Sequence, residues 1–247
     1  MSAGAIHVGI GGWDYDPWRG TFYPPGLAKT KQLEHASRRV TAIEINATFY
    51  KLQRPELYRR WAEATPPGFE FAIKGSRFCV NRRVLAEAGE ALAKFCGQGL
   101  EELGDRLGPI LWQLAETKAF DADDLRAFLA SLPRETAGAR LRHVLEVRHE
   151  SFRDAPLAEI AAEVGVAIAL VDAPGVPLID APAPDFAYAR LKGMREDEPT
   201  GYSPAELDRW AALARGWSES GREVFLFFIN GAKVRAPAAA EALLARL

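Results

Sequence analysis

Glu44 and Glu146 each lie in a short apolar run, and each has a second polar residue two positions on. Glu44 is followed by Asn46 in TAIEINATFY, and Glu146 by Arg148 in HVLEVR. Residues at spacing two share one face of a strand. A carboxylate on such a face is costly to bury without a partner, so it either meets solvent or lines a site. Two carboxylates with separated pKa values can work as general acid and base in isomerase, lyase or glycosidic chemistry. The competing arrangement is neutralisation, with Glu146 paired to Arg148 or Arg190 and merely supporting its surroundings.

The same pattern recurs along the chain. Lys74 ends FEFAIK, Gln113 lies near the end of PILWQL, and Asp172 ends VAIALVD. Tyr188 and Arg190 share a face in FAYARL, and Asn230 ends EVFLFFIN. His149, Lys192 and Lys233 follow closely after three of these runs. Acids, bases and amides gathered at the same ends of many strands would converge on one mouth. Glu44, Glu146, Lys74 and Asp172 are the catalytic candidates. Asn46, Gln113 and Asn230 can orient hydroxyls or carbonyls; Arg148, Arg190 and Lys233 can bind negative charge. His149 and Tyr188 complete the polar set. The loops after the first two strands carry Trp13, Tyr15, Trp18, Phe22, Tyr23, Phe49 and Tyr50. These rings can form a stacking wall or pack as a satellite core. Trp13 and Tyr50 are expected nearest the site.

These residues need a frame. Strand runs are predicted at Ile6–Ile10, from Thr41, and at Phe69–Lys74, Pro109–Leu114, His143–Arg148, Val166–Asp172, Phe186–Leu191 and Glu223–Asn230. Helical spacing follows at Lys29–Arg39, Arg54–Ala64, from about Arg83 to a break at Gly97 and Gly99, Asp121–Leu132, Ala155–Val164, Ser203–Ser220 and Pro237–Leu247. Prolines 174, 177, 182 and 184 oppose a helix after the sixth run. Strand–helix alternation with eight strand runs in 247 residues predicts a single α/β domain over 1–247, a (β/α)8 TIM-barrel-like fold with an irregular Pro-rich connection after strand six. An open doubly wound sheet is the alternative, weakened because no GxGxxG or P-loop follows the first strand.

Composition narrows the function. Net charge is −2, with 48% hydrophobic and 26% charged residues. That argues against a protein that coats nucleic acid non-specifically and leaves a local basic patch open. No apolar run is long enough to span a bilayer. The start MSAGAIHVGIGG lacks the basic and long apolar regions of a secretion signal. The two cysteines, Cys79 and Cys96, have no metal-ligand spacing and read as free thiols. A cytoplasmic location is expected. No cofactor is required by these residues. A divalent Mg²⁺ or Mn²⁺ held by Glu44, Glu146 and Asp172 through oxygen is the alternative.

Several longer stretches also carry a resemblance. GGWDYDPWRGTFYPPGL (11–27), EINATFY (44–50), TPPGFEFAIK (65–74), LGDRLGPILWQL (103–114), EVRHESF (146–152), YARLKG (188–193) and FFINGAK (227–233) together resemble the DUF72 or YecE-like family. The resemblance implies a TIM-barrel-type fold with a loose relation to sugar isomerases, and it says little about activity. Its pattern matches Glu44, Asn46, Lys74, Gln113, Glu146, Arg148, His149, Asp172 and Arg190. Three departures stand out: QLA for the usual QLP after strand four, Lys192-Gly193 for HG, and Ile229-Asn230 for paired asparagines. The last puts a two-amide clamp in doubt.

The reading that results is an enzyme acting on a small polar substrate, phosphate- or carboxylate-bearing or sugar-like, by acid–base chemistry of isomerase or lyase type. The alternatives are a metal-dependent phosphoester hydrolase or nuclease, and a non-catalytic metabolite-binding protein.

Overall fold

The computed structural model describes residues 2–247. The strands are β1 (Ile6–Gly11), β2 (Ala42–Ile45), β3 (Glu70–Lys74), β4 (Leu107–Gln113) and β5 (His143–Glu146), then β6 in two segments (Ala167–Ile168 and Leu170–Asp172), β7 (Phe186–Leu191) and β8 (Glu223–Phe228). Hydrogen bonding runs from the first segment of β6 through β5, β4, β3, β2, β1, β8 and β7 to the second segment of β6. Every pairing in that sheet is parallel. The two ends of the sheet are thus halves of one strand, and the barrel closes through it. At the break, the Ile168 amide donates to the Ala181 carbonyl in the Pro-rich connection at 2.8 Å. The TIM-barrel-type α/β fold is the one the alternation predicts, and nine strand segments stand for eight strands.

Helices cover the outside: α1 (Gln32–Ala36), α2 (Pro55–Glu63), α3 (Arg77–Val80), α4 (Gly89–Cys96), α5 (Ala122–Ala130), α6 (Leu157–Glu163), α7 (Pro204–Glu219) and α8 (Ala236–Leu244). Local chemistry sets their starts. Asp121 accepts from the amides of Asp123 and Asp124, each at 3.1 Å. Ser203 and Glu206 form the reciprocal capping box that opens α7. Among the described residues no helix follows β6, as the prolines predict. None is long and apolar enough to cross a membrane.

Two small elements carry weak sequence signals. A hairpin pairs Glu135–Thr136 with Ala139–Arg140, and its turn residues Ala137 and Gly138 have φ of 45° and 81°. That turn favours Asn-Gly or Asp-Gly, so Ala at its first position hides it. The α3 turn begins at Ser76, whose hydroxyl accepts from the Phe78 amide.

Alternation along the strands sorts side chains into an outer and an inner set. Ile43, Ile45, Phe71, Ile73, Ile110, Trp112 and Leu145 face the helices. Ala42, Ala72, Leu111, Val144, Ala167, Phe186, Tyr188, Phe225 and Phe227 form a separate apolar layer inside the barrel. Gly9 makes room for it, because a Cβ there would lie 2.1 Å from the Ala42 carbonyl oxygen and 3.0 Å from the Phe227 ring.

Below that layer, at the N-terminal ends of the strands, is an ionic floor. Arg142 donates to Glu70 at 2.7 Å and to Glu223, and His7 meets Glu223 at 2.9 Å. The Arg142 guanidinium also covers the Phe225 ring at 5.1 Å. Burial pushes the Glu70 carboxyl up to about 7 against the pull of Arg142, while Glu223 is brought down to about 2 by His7 and Arg142 despite its burial. Charge gathered at this face of such a barrel reads as stability. Arg142→Met leaves two facing carboxylates without their cation. It should cost roughly 3–5 kcal/mol in urea unfolding at neutral pH. An unchanged midpoint would show that the floor is not a stabilising network.

Candidate active site

The polar ends of the strands form two layers at the C-terminal face. The lower one is dry. Arg190 on β7 donates through Nε and Nη2 to the two carboxylate oxygens of Glu44 on β2, both at 2.9 Å. Its Nη1 donates to Glu146 on β5. Glu146 also accepts from Gln113 at 2.8 Å and from Lys192 at 2.6 Å, and Tyr188 donates to Glu44 at 2.8 Å. Glu44, Glu146 and Arg190 are fully buried or within 1% of it. Period two put these side chains inside the barrel; their opposite charges join them.

Both glutamates are held in buried ion pairs. Of the two readings the sequence leaves open, neutralisation is the one found, by Arg190 and Lys192 rather than by Arg148. Burial would raise the Glu146 carboxyl, but Arg190 and Lys192 outweigh it and hold it down at about 2. A carboxylate that acidic and that enclosed is a poor proton carrier near neutral pH.

The upper layer is an open cavity of about 620 Å³ above the ends of β1, β2, β3 and β8. Trp13, Asn46, Tyr50, Lys74, Asn230 and Lys233 line it together with Asp14 and Trp61. Trp13 stands edge-on to Trp61 at 5.3 Å. Trp61 lies on α2, where an aromatic at helical spacing reads as core. Trp18, Phe22 and Tyr23 are buried beneath the loops. The loop rings are therefore part wall and part satellite core.

Among the described residues neither cavity lysine has a carboxylate within ion-pair distance. Lys74 Nζ lies 4.4 Å from the Phe49 ring centre, and Lys233 Nζ lies 4.6 Å from that of Tyr15. Burial and the nearby Arg190 cation bring the Lys74 ammonium down to about 8, against the pull of Glu44 and Glu146. Burial likewise lowers Lys233. The turn after β2 positions Lys74, since Thr48 donates to the Lys74 carbonyl at 2.7 Å and Phe49 supplies the ring under its ammonium. Asn46 donates to the Glu44 carbonyl at 3.3 Å, which ties the cavity wall to the dry layer. Asn230 holds φ at 60°, followed by Gly231 at 54°, so the chain turns sharply over the cavity edge.

Three predicted site residues fall elsewhere. Arg148 pairs with Glu116. His149 caps the turn Glu150–Phe152, with Nδ1 accepting from the Ser151 amide at 3.2 Å. Asp172 accepts from Tyr202 at 2.5 Å across Gly193, where a Cβ would lie 2.6 Å from its carboxylate. Each has a local partner that the strand pattern could not reveal. Gln113 and Tyr188 belong to the dry layer, not the cavity. The oxygen-donor set Glu44, Glu146 and Asp172 does not assemble. Among the described residues, the group close enough to share an ion is His7, Glu70 and Glu223 in the floor. Arg142 already neutralises its carboxylates.

The profile of the family described as "Protein of unknown function DUF72" matches residues 7–247. The chain belongs to the DUF72 family. The UPF0759 protein YecE of Escherichia coli K12 is 30% identical over 150 residues, which is 60% of this chain and 50% of that protein. The chain thus matches about half the length of that curated relative. A DUF72 family protein of known structure from Thermotoga maritima superposes with a TM-score of 0.77 at 23% identity, covering 97% of both chains. A sugar phosphate isomerase/epimerase from Parabacteroides distasonis superposes at 0.55 with 11% identity, covering 99% of this chain and 94% of that one. At these identities the structural likenesses show the fold alone.

The dry network sets an acid limit on stability. Glu146 is held near 2 in the fold against an ordinary 4.5. A depressed carboxyl stabilises the fold above its unfolded pKa, and that stability fades as pH falls from 4.5 towards 2. The loss attributable to this group is on the order of 3 kcal/mol. Urea midpoints of the wild type should decline across that window. In Glu146→Gln they should start lower and decline less, and parallel acid limbs in the two proteins would contradict the assignment.

Proposed function

We propose that this DUF72 protein is an enzyme of isomerase or lyase type acting on a small, sugar-like substrate that carries phosphate or carboxylate. The observation that carries this reading is the pair of uncompensated lysines, Lys74 and Lys233, in one cavity with amides and aromatic rings. Charge balance explains why they matter. In the dry layer Glu44 and Glu146 are matched by Arg190 and Lys192. Each cavity lysine is an added cation, costly to hold partly buried, and an anionic ligand relieves both. Asn46 and Asn230 offer donors and acceptors for hydroxyls, while Trp13, Tyr50 and Trp61 offer faces for a sugar ring.

Proton transfer falls to Lys74 instead of the glutamates. A pKa of about 8 lets it give or take a proton near physiological pH. The fold likeness to a sugar phosphate isomerase/epimerase agrees in kind with this reading. Cys79 and Cys96, both buried and free, fit a cytoplasmic setting.

The locked glutamates favour a second reading, a metabolite-binding protein without turnover. It shares the cavity and the ligand chemistry, and absence of any turnover of a tightly bound ligand would select it.

Calorimetric titration distinguishes the cavity from an accidental hollow. Sugar phosphates should bind more tightly than their unphosphorylated counterparts. Lys233→Met should weaken that binding by roughly tenfold to a hundredfold. Equal affinities for the charged and neutral compounds, or an unaffected Lys233→Met, would overturn the reading.

A further inference from the structure

We infer that Lys74 is a carbonyl-condensing amine, and that the substrate class is an aldehyde or ketone bearing an anionic group. This rests on the cavity reading above and adds the bond that is made.

The argument starts from what surrounds the amine. Lys74 ends β3, where its backbone is fixed twice: the strand pairs with β2 and β4, and its carbonyl accepts from Thr48. Its side chain lines the cavity and is half-buried. Among the described residues no side chain or carbonyl accepts a hydrogen bond from its Nζ, and no carboxylate lies within ion-pair distance. The other buried cations nearby differ in this respect: Arg190 is saturated by Glu44 and Glu146, and Lys192 donates to Glu146 at 2.6 Å. The glutamates are committed to those two, so Lys74 meets their field without a direct bond. Its Nζ is thus the uncommitted nitrogen at the boundary between the dry layer and open space.

That setting suits a nucleophilic amine. An ammonium gives its lone pair only after losing a proton, and burial next to other cations favours that loss. A lysine held at about 8 has a neutral fraction near pH 7 roughly two orders of magnitude above that of an exposed one. Lys233 is placed for the other role. Its ammonium lies over two rings, Tyr15 and Trp18, whose attraction for the charged form opposes the effect of burial, and its carbonyl accepts from the Trp18 indole at 3.0 Å. Lys233 would hold the substrate's anionic group while Lys74 reaches its carbonyl.

The step balances without a further reagent. The Nζ lone pair attacks the carbonyl carbon and forms a C–N bond, giving a carbinolamine. Both hydrogens of the amine then leave with the carbonyl oxygen as water, and a C=N bond remains. Protonation of that nitrogen from solvent makes it an electron sink. An adjacent C–H bond can then break, its proton passing to solvent and its electron pair into the C=N bond; or an adjacent C–C bond can break, its electron pair moving the same way while the departing fragment's hydroxyl gives its proton to solvent and leaves as a carbonyl. These are the chemistries of isomerases and lyases; solvent reprotonates the carbon, and water reverses the condensation to free the product.

The test uses pyridoxal phosphate, an aldehyde with a phosphate and a flat ring, and pyridoxine phosphate, which lacks the carbonyl. The full-length protein is incubated with pyridoxal phosphate near neutral pH, reduced with borohydride, digested and mapped by mass spectrometry. Lys74 should be modified at least about tenfold more than any exposed lysine, with labelling rising with pH through about 8. Lys74→Arg and Lys74→Met should each lose the dominant adduct, and binding of pyridoxine phosphate to the wild type reports the anion cavity separately. Labelling spread over exposed lysines, or centred on Lys233, would overturn the inference. If pyridoxine phosphate binds the wild type and no Lys74 adduct forms, the amine role fails and the anion cavity stands. If neither compound binds, both fail together.

Discussion

Arg190 is the contact on which the upper half of this barrel depends. One guanidinium joins a carboxylate from β2 to a carboxylate from β5, with a bidentate grip on the first. None of the three could be buried alone, because each would carry several kcal/mol of unpaid desolvation. Together with Lys192, which also pairs with Glu146, they fill the space above Tyr188 and Phe227 with a charge-balanced, hydrogen-bonded unit. Arginine suits this better than lysine would, since its planar fork serves two carboxylates at once. The same unit that completes the barrel interior also engages Glu44 and Glu146, the two acid–base candidates of the sequence, in ion pairs.

The barrel therefore carries charge at both ends and an apolar band between. The floor of His7, Glu70, Arg142 and Glu223 is closed off from the upper network by Phe225, Phe227, Tyr188 and small residues such as Ala42 and Ala72. The small side chains on β2 and β3 leave room for the large rings of β7 and β8, so the interior fills unevenly but without polar atoms in its middle. Such a band keeps the two networks from exchanging partners and fixes the register of each strand, since a slip by one residue would drive Ile43 or Ile73 inward and Glu44 or Lys74 outward.

Much of this was legible in the sequence. Strand–helix alternation fixed the number and order of the strands, and period two placed Glu44, Glu146, Tyr188 and Arg190 on inner faces. The Pro-rich segment after β6 announced its missing helix. Pairing was not legible, because charge partners on an inner face come from strands far apart in the chain; Arg190 lies 146 positions from Glu44. The break in β6 was hidden for a different reason: VAIALVD is apolar throughout, and nothing in it marks Ala169 as the point where the strand changes neighbours. His149, Arg148 and Asp172 look like site residues by position, yet each is claimed by a partner whose nearness depends on loop geometry. Trp61 illustrates the converse. Its helical spacing fits a core residue, and only the meeting of α2 with the first loop brings its ring to the cavity.

The division between committed and uncommitted charge explains where chemistry can occur. A saturated group has little free energy to offer a ligand, since any new bond replaces an existing one. Glu44, Glu146, Arg190 and Lys192 are in that position, and their value is to set a fixed electric field. Lys74 stands in that field without a bond to it. The cationic side of the network disfavours its proton, the anionic side favours it, and burial tips the balance towards loss. Charge commitment and proton occupancy are therefore linked at Lys74, a cavity amine that the buried network leaves without a direct bond.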